Sequence, residues 1–71
     1  MAEVMVSYEI CVRGLLGELL CSAFPTLQAR TRDHDTVLSG VFADQAALYG
    51  ALAQIESLGL ELVEVRRVPA R

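Results

Sequence analysis

From Val4 to Val12 every second residue is apolar: Val4, Val6, Tyr8, Ile10 and Val12, with Met5, Ser7, Glu9, Cys11 and Arg13 between them. Side chains of an extended strand point alternately to its two faces, so this run predicts a β-strand with one apolar face turned to a core and one mixed face turned away. It is the clearest strand signal in the chain. Gly14 interrupts it, after which Leu15, Leu16, Leu19, Leu20 and Ala23 recur at helical spacing. Pro25 disfavours helix at Phe24, so the first helix is short, of about two to three turns.

Leu27, Ala29 and Thr31 then alternate with Gln28, Arg30 and Arg32, and Thr36 to Val41 is rich in β-branched residues, with polar Asp33-His34-Asp35 between the two runs. This pattern reads as a β-hairpin. Asp44 is a good N-cap for a second helix, whose apolar face is marked by Leu48, Ala51, Leu52, Ile55 and Leu58 and whose stop is Gly59. Leu60 to Val68 reads as a closing strand, but its register is ambiguous. Leu60 and Leu62 favour one face while Val63 and Val65 favour the other. A strand apolar in both directions is expected to be covered on both faces.

The order strand, helix, strand, strand, helix, strand is the split βαβ pattern. Its two right-handed crossovers place both helices on one face of a four-stranded antiparallel sheet. The fold expected is therefore α+β and ferredoxin-like, one domain over residues 1–71 without linker or repeat, with Leu19, Leu20, Leu48, Leu52 and Ile55 in its core. The other sheet face is left open. Met5, Ser7, Glu9 and Cys11 point there and are the expected interface residues, with Glu9 and Arg13 available to pair across a two-fold axis.

Size and composition bear on that expectation. A chain of 71 residues buries only about 60 % of the surface its unfolded form exposes, yet 54 % of these residues are apolar. That is more than one small two-layer core needs, and it points to self-association, either through the open sheet face or through the edge strands. No stretch approaches the roughly 20 apolar residues of a membrane span, and the start of the chain lacks the pattern of a secretory signal. A cytoplasmic location is the expectation.

Few residues could carry chemistry. His34 is the single histidine, and Asp33-His34-Asp35 reads as turn chemistry, with aspartates bonding nearby amides. Cys11 and Cys21 lack metal-ligand spacing and read as two buried thiols. No Gly-rich phosphate loop, zinc-ligand pair or nucleophile elbow is present. The expectation is no enzyme activity, no catalytic residue, no metal and no cofactor. The net charge of −3 and the lack of a pair of aromatic residues on the open face argue against nucleic acid. Five of the six arginines, Arg13, Arg30, Arg32, Arg66 and Arg67, fall on strand-like segments, as solvated edges or as a site for an anion or an acidic partner.

The stretch Val12-Arg13-Gly14-Leu15-Leu16-Gly17-Glu18-Leu19-Leu20 resembles the first strand-to-helix turn of ACT domains, with Arg13 where that pattern commonly has proline. The element order and the Leu58-Gly59-Leu60 join extend the resemblance over nearly the whole chain. It implies a homodimeric regulatory module that binds a small anionic ligand, such as an amino acid, near Arg13, Gly14 and Leu15. Amides that open a helix can hold an anion, and an adjacent arginine adds charge-assisted bonds to a carboxylate. The alternative is an accessory module that docks on a larger protein through the open sheet face. The lysine-free character and the run Ala43-Asp44-Gln45-Ala46-Ala47-Leu48 are also similar to small uncharacterised actinobacterial proteins.

Overall fold

The computed structural model describes residues 6–68. The elements are β1 (Val6–Arg13), α1 (Gly17–Ala23), β2 (Gln28–Arg32), β3 (Asp35–Phe42), α2 (Gln45–Ser57) and β4 (Leu62–Val68). The four strands form one sheet in the order β2-β3-β1-β4, and every neighbouring pair is antiparallel. This is the ferredoxin-like α+β fold.

Alternation in β1 decides the layers. Ile10 and Val12 are fully buried and belong to one cluster with Leu20, Phe24, Leu27, Leu38, Phe42, Leu48, Ala51 and Ile55, contributed by the sheet, both helices and the segment that follows α1. Tyr8 packs on the same cluster, with its ring edge-on to Phe42 at a centroid distance of 5.9 Å. Val4 and Met5 lie outside the described residues.

Local chemistry terminates the second helix as its residues predict. The Asp44 carboxylate accepts from the Ala47 amide at 2.8 Å, occupying one of the free N–H groups at the helix start. At the other end Gly59 takes φ +77°, the Gly59 amide donates to the Glu56 carbonyl, and the Leu60 amide donates to the Ile55 carbonyl. These two bonds make a Schellman ending, and Leu60 packs against the core beside it.

Three positions expected on buried faces, Leu19, Cys21 and Leu58, are exposed. Leu19 is 44 % exposed, because α1 starts only at Gly17 and turns the stripe Leu16, Leu20 and Ala23 to the sheet. Two neighbouring leucine stripes compete on so short a helix, and the one continuing into Phe24 and Leu27 takes the core. Cys21, one position beyond Leu20, is exposed, so only Cys11 is a buried thiol. Leu58 caps α2 and is 42 % exposed, while Leu52 is only partly buried at the margin of the stripe Leu48, Ala51 and Ile55.

The ambiguous register of the last strand has a structural counterpart. The pairing of β4 with β1 shifts between Cys11 and Val12, so that Cys11 faces Glu64 while Val12 faces Leu62. One extra residue on β4 there lets its apolar residues change face. Among the described residues nothing supplies the expected cover: every β4 residue from Leu62 to Arg67 is exposed.

Candidate functional site

The turn after β1 is built on Gly14, whose φ of +106° is costly for any side-chain-bearing residue. Two neighbouring residues at the start of β3 hold it. The buried Thr36 hydroxyl donates to the Gly14 carbonyl at 2.7 Å and accepts from the Leu16 amide at 2.8 Å. The Asp35 carboxylate accepts from the Gly14 amide at 3.3 Å, and its other oxygen lies 4.0 Å from the Cys11 thiol.

The predicted ligand residues Arg13, Gly14 and Leu15 are thus brought to one turn, where the carboxylate on the Gly14 amide is the chain's own. Arg13 makes an exposed ion pair with Glu61 at 3.2 Å, and Leu15 is 68 % exposed. Asp33-His34-Asp35 divides its labour. Asp33, at φ +58°, and His34 form the two-residue hairpin turn, whereas Asp35 belongs to β3 and serves the other turn. Sequence reasoning missed Thr36 and Asp35 as partners of Gly14. Their pairing with Val12 and Arg13 across the sheet appears only once the β1 to β3 register is known.

The sheet face opposite the helices carries Ser7, Glu9, Cys11 and Arg13 from β1, as the alternation requires. Glu9 is its electrostatic centre. Arg66 on β4 donates to Glu9 Oε1 at 2.8 Å, and Arg30 on β2 donates to Oε2 at 2.9 Å, so one carboxylate ties the two edge strands together across the sheet. The hydrogen bonds from Arg66 and then Arg30 hold the Glu9 carboxyl below the usual glutamate range. Glu9 and Arg13 therefore each have charged partners within the chain. Cys11 and Val37 are buried on this face although they lie outside the main core cluster. Their register neighbours include Glu64 and Arg30, whose side chains share the face.

A depressed carboxyl contributes stability above its ordinary range and loses that contribution as pH falls through its lowered value. Acid unfolding of the wild type should accordingly have a component that Glu9→Gln lacks. Urea denaturation at neutral pH and at pH 3 would show it: the wild type should lose more of its neutral-pH stability than the variant. Equal losses would mean that the two arginine contacts do not hold Glu9 ionised.

Two further features complete the surface. At the end of the sheet away from Gly14, a cleft of about 290 Å³ lies among Phe24, Leu27, Val41, Phe42, Ala47 and Ala51, with Thr26 and Gln54 as polar groups on its wall. Along β4, Leu62, Val63 and Val65 are 37 %, 46 % and 36 % exposed on an edge strand. Among the described residues no cluster of three histidine, cysteine or acidic side chains could hold a metal ion, and no helix is long and apolar enough to cross a membrane.

Neither a curated protein nor a solved structure matches the chain. Residues 7–66 match the family model described as a domain of unknown function, DUF8691, a span that runs from β1 into β4 and so takes in every element of the fold. The chain belongs to the DUF8691 family.

Proposed function

We propose that this domain is a non-enzymatic assembly module that associates with a second copy of itself. The observation that carries the reading is the edge strand β4, where Leu62, Val63 and Val65 stand exposed on a strand that, among the described residues, pairs on one side only. An edge of this kind is a template for another strand, and proteins that stay monomeric guard such edges with charge, proline or a covering element. Sedimentation velocity at micromolar concentration tests it. A dimer or larger species is expected, and a monomer throughout would overturn self-association and favour docking on a different protein.

The second reading follows the ACT-like resemblance, a regulatory module with a small anionic ligand at Arg13, Gly14 and Leu15. What supports it is that the Gly14 amide already receives a carboxylate, that of Asp35, at 3.3 Å. A ligand carboxylate would have to displace Asp35 to reach the same amide. The assembly reading needs no such rearrangement.

A further inference from the structure

The two edges of the sheet differ in their chemistry. β2 runs Gln28-Ala29-Arg30-Thr31-Arg32, with two arginines and no acidic residue, so a second β2 laid against it meets charge of the same sign. β4 runs Leu62-Val63-Glu64-Val65-Arg66-Arg67-Val68, with an acid and a base on one face, two residues apart and either side of Val65. Glu64 and Arg66 face Cys11 and Glu9 in the β1 register, which places both on the open sheet face.

We infer that two copies pair β4 to β4 in antiparallel fashion about a two-fold axis at Val65. This deepens the self-association reading and rests on it. In this register Glu64 stands opposite Arg66 of the second copy and Arg66 opposite its Glu64. Val65 meets Val65 and Val63 meets the alkyl stem of Arg67, whereas Leu62, turned to the helix side opposite Val12 by the bulge, lies beyond the paired stretch.

Opposite residues of an antiparallel pair share a face, so a two-fold axis perpendicular to the sheet keeps the helices of both copies on one side. Only registers centred on a residue satisfy that condition. Centring on Glu64 sets two carboxylates against each other, and centring on Arg66 sets two guanidinium groups against each other; Val65 is the centre between them that pairs opposite charges. The Glu9 bond leaves Arg66 further N–H groups for a second carboxylate. The product is one eight-stranded sheet, β2-β3-β1-β4-β4-β1-β3-β2, whose remaining edges are the arginine-bearing β2 strands.

Charge reversal tests the register. Glu64→Arg and Arg66→Glu should each weaken self-association by about tenfold or more, because each homodimer then has two like-charge pairs directly opposite one another. An equimolar mixture of the two variants should dimerise again, since every cross-strand pair in the mixed species is of opposite charge. Arg66→Glu also faces Glu9, so circular dichroism must show that it is folded. An independent measurement avoids that variant: in a Cys21→Ser background, Val65→Cys should cross-link to itself under mild oxidation, whereas Val63→Cys, which faces position 67, should not. A wild-type dimer in which charge reversal changes nothing, the mixture shows no recovery or Val65→Cys fails to cross-link overturns the register while leaving self-association standing. A wild-type monomer overturns both.

Discussion

Replacing Ile55 with alanine should destabilise the domain by about 3 to 4 kcal/mol, the cost of removing a fully buried aliphatic side chain from a core that closes only in part around the cavity. Ile55 is completely inaccessible, closes the α2 stripe after Leu48 and Ala51, and belongs to the cluster formed with Ile10, Val12 and Leu38. Its backbone carbonyl also accepts the Leu60 amide in the helix ending, so a shift of this turn would disturb the entry to β4. In a domain this small, whose total stability is on the order of 5 kcal/mol, the substitution should leave a large unfolded fraction at mild denaturant concentration. Chemical denaturation checks it, with Leu19→Ala as the comparison. Because Leu19 is 44 % exposed, its truncation should cost less than about 1 kcal/mol. Equal losses at the two positions would mean that α1 presents a different face to the sheet.

Thr36→Val should cost about 2 to 3 kcal/mol despite conserving the shape of the side chain. Thr36 is fully buried, and its one hydroxyl serves both the Gly14 carbonyl and the Leu16 amide. Removing the oxygen leaves a donor and an acceptor without partners at a partly buried turn, and the loss of an established buried bond exceeds the modest net value of making one. The Leu16 amide has few alternatives, since α1 has no side-chain cap at its first turn. Thr36→Ser keeps the hydroxyl and removes one methyl group, so it should recover most of the loss. Urea unfolding combined with hydrogen exchange at Leu16 separates the two effects. A Val variant as stable as the wild type, with unchanged protection at Leu16, would show that the hydroxyl does not hold the turn.

The two sites also explain how much of this molecule was readable beforehand. Asp44 and Gly59 act within a few residues of their own positions, so the cap and the stop of α2 follow from local chemistry alone. The face of β1 that enters the core follows from alternation, which leaves no second choice once the strand exists. On α1 the pattern offers two adjacent stripes, Leu15 with Leu19 and Leu16 with Leu20, and propensity does not distinguish them. Tertiary packing does, because Leu16, Leu20 and Ala23 join the cluster that also holds Leu27, Leu38 and Phe42. Leu27 also crosses close to Gly40, where a Cβ would overlap its Cδ2 atom, so a side chain in mid-strand would require the end of a residue 13 positions earlier to move aside.

The charged surface depended wholly on the third dimension. Glu9, Arg30 and Arg66 are separated by 21 and 57 positions from carboxylate to donor, and neither spacing has meaning in the chain itself. They meet because the order β2-β3-β1-β4 places β1 one strand from β4 and two strands from β2, within reach of arginine side chains on a shared face. The same register delivers Asp35 and Thr36 to the Gly14 turn and assigns Glu64 and Arg66 to one face of a free edge. By itself the sequence determined the element order, the apolar face of β1, the ends of α2 and hence the fold class, because periodicity and capping operate over a few residues. The exposure of β4, the choice between the α1 stripes and every long-range polar partner were decided only by tertiary structure, because they depend on which strands become neighbours and in what register.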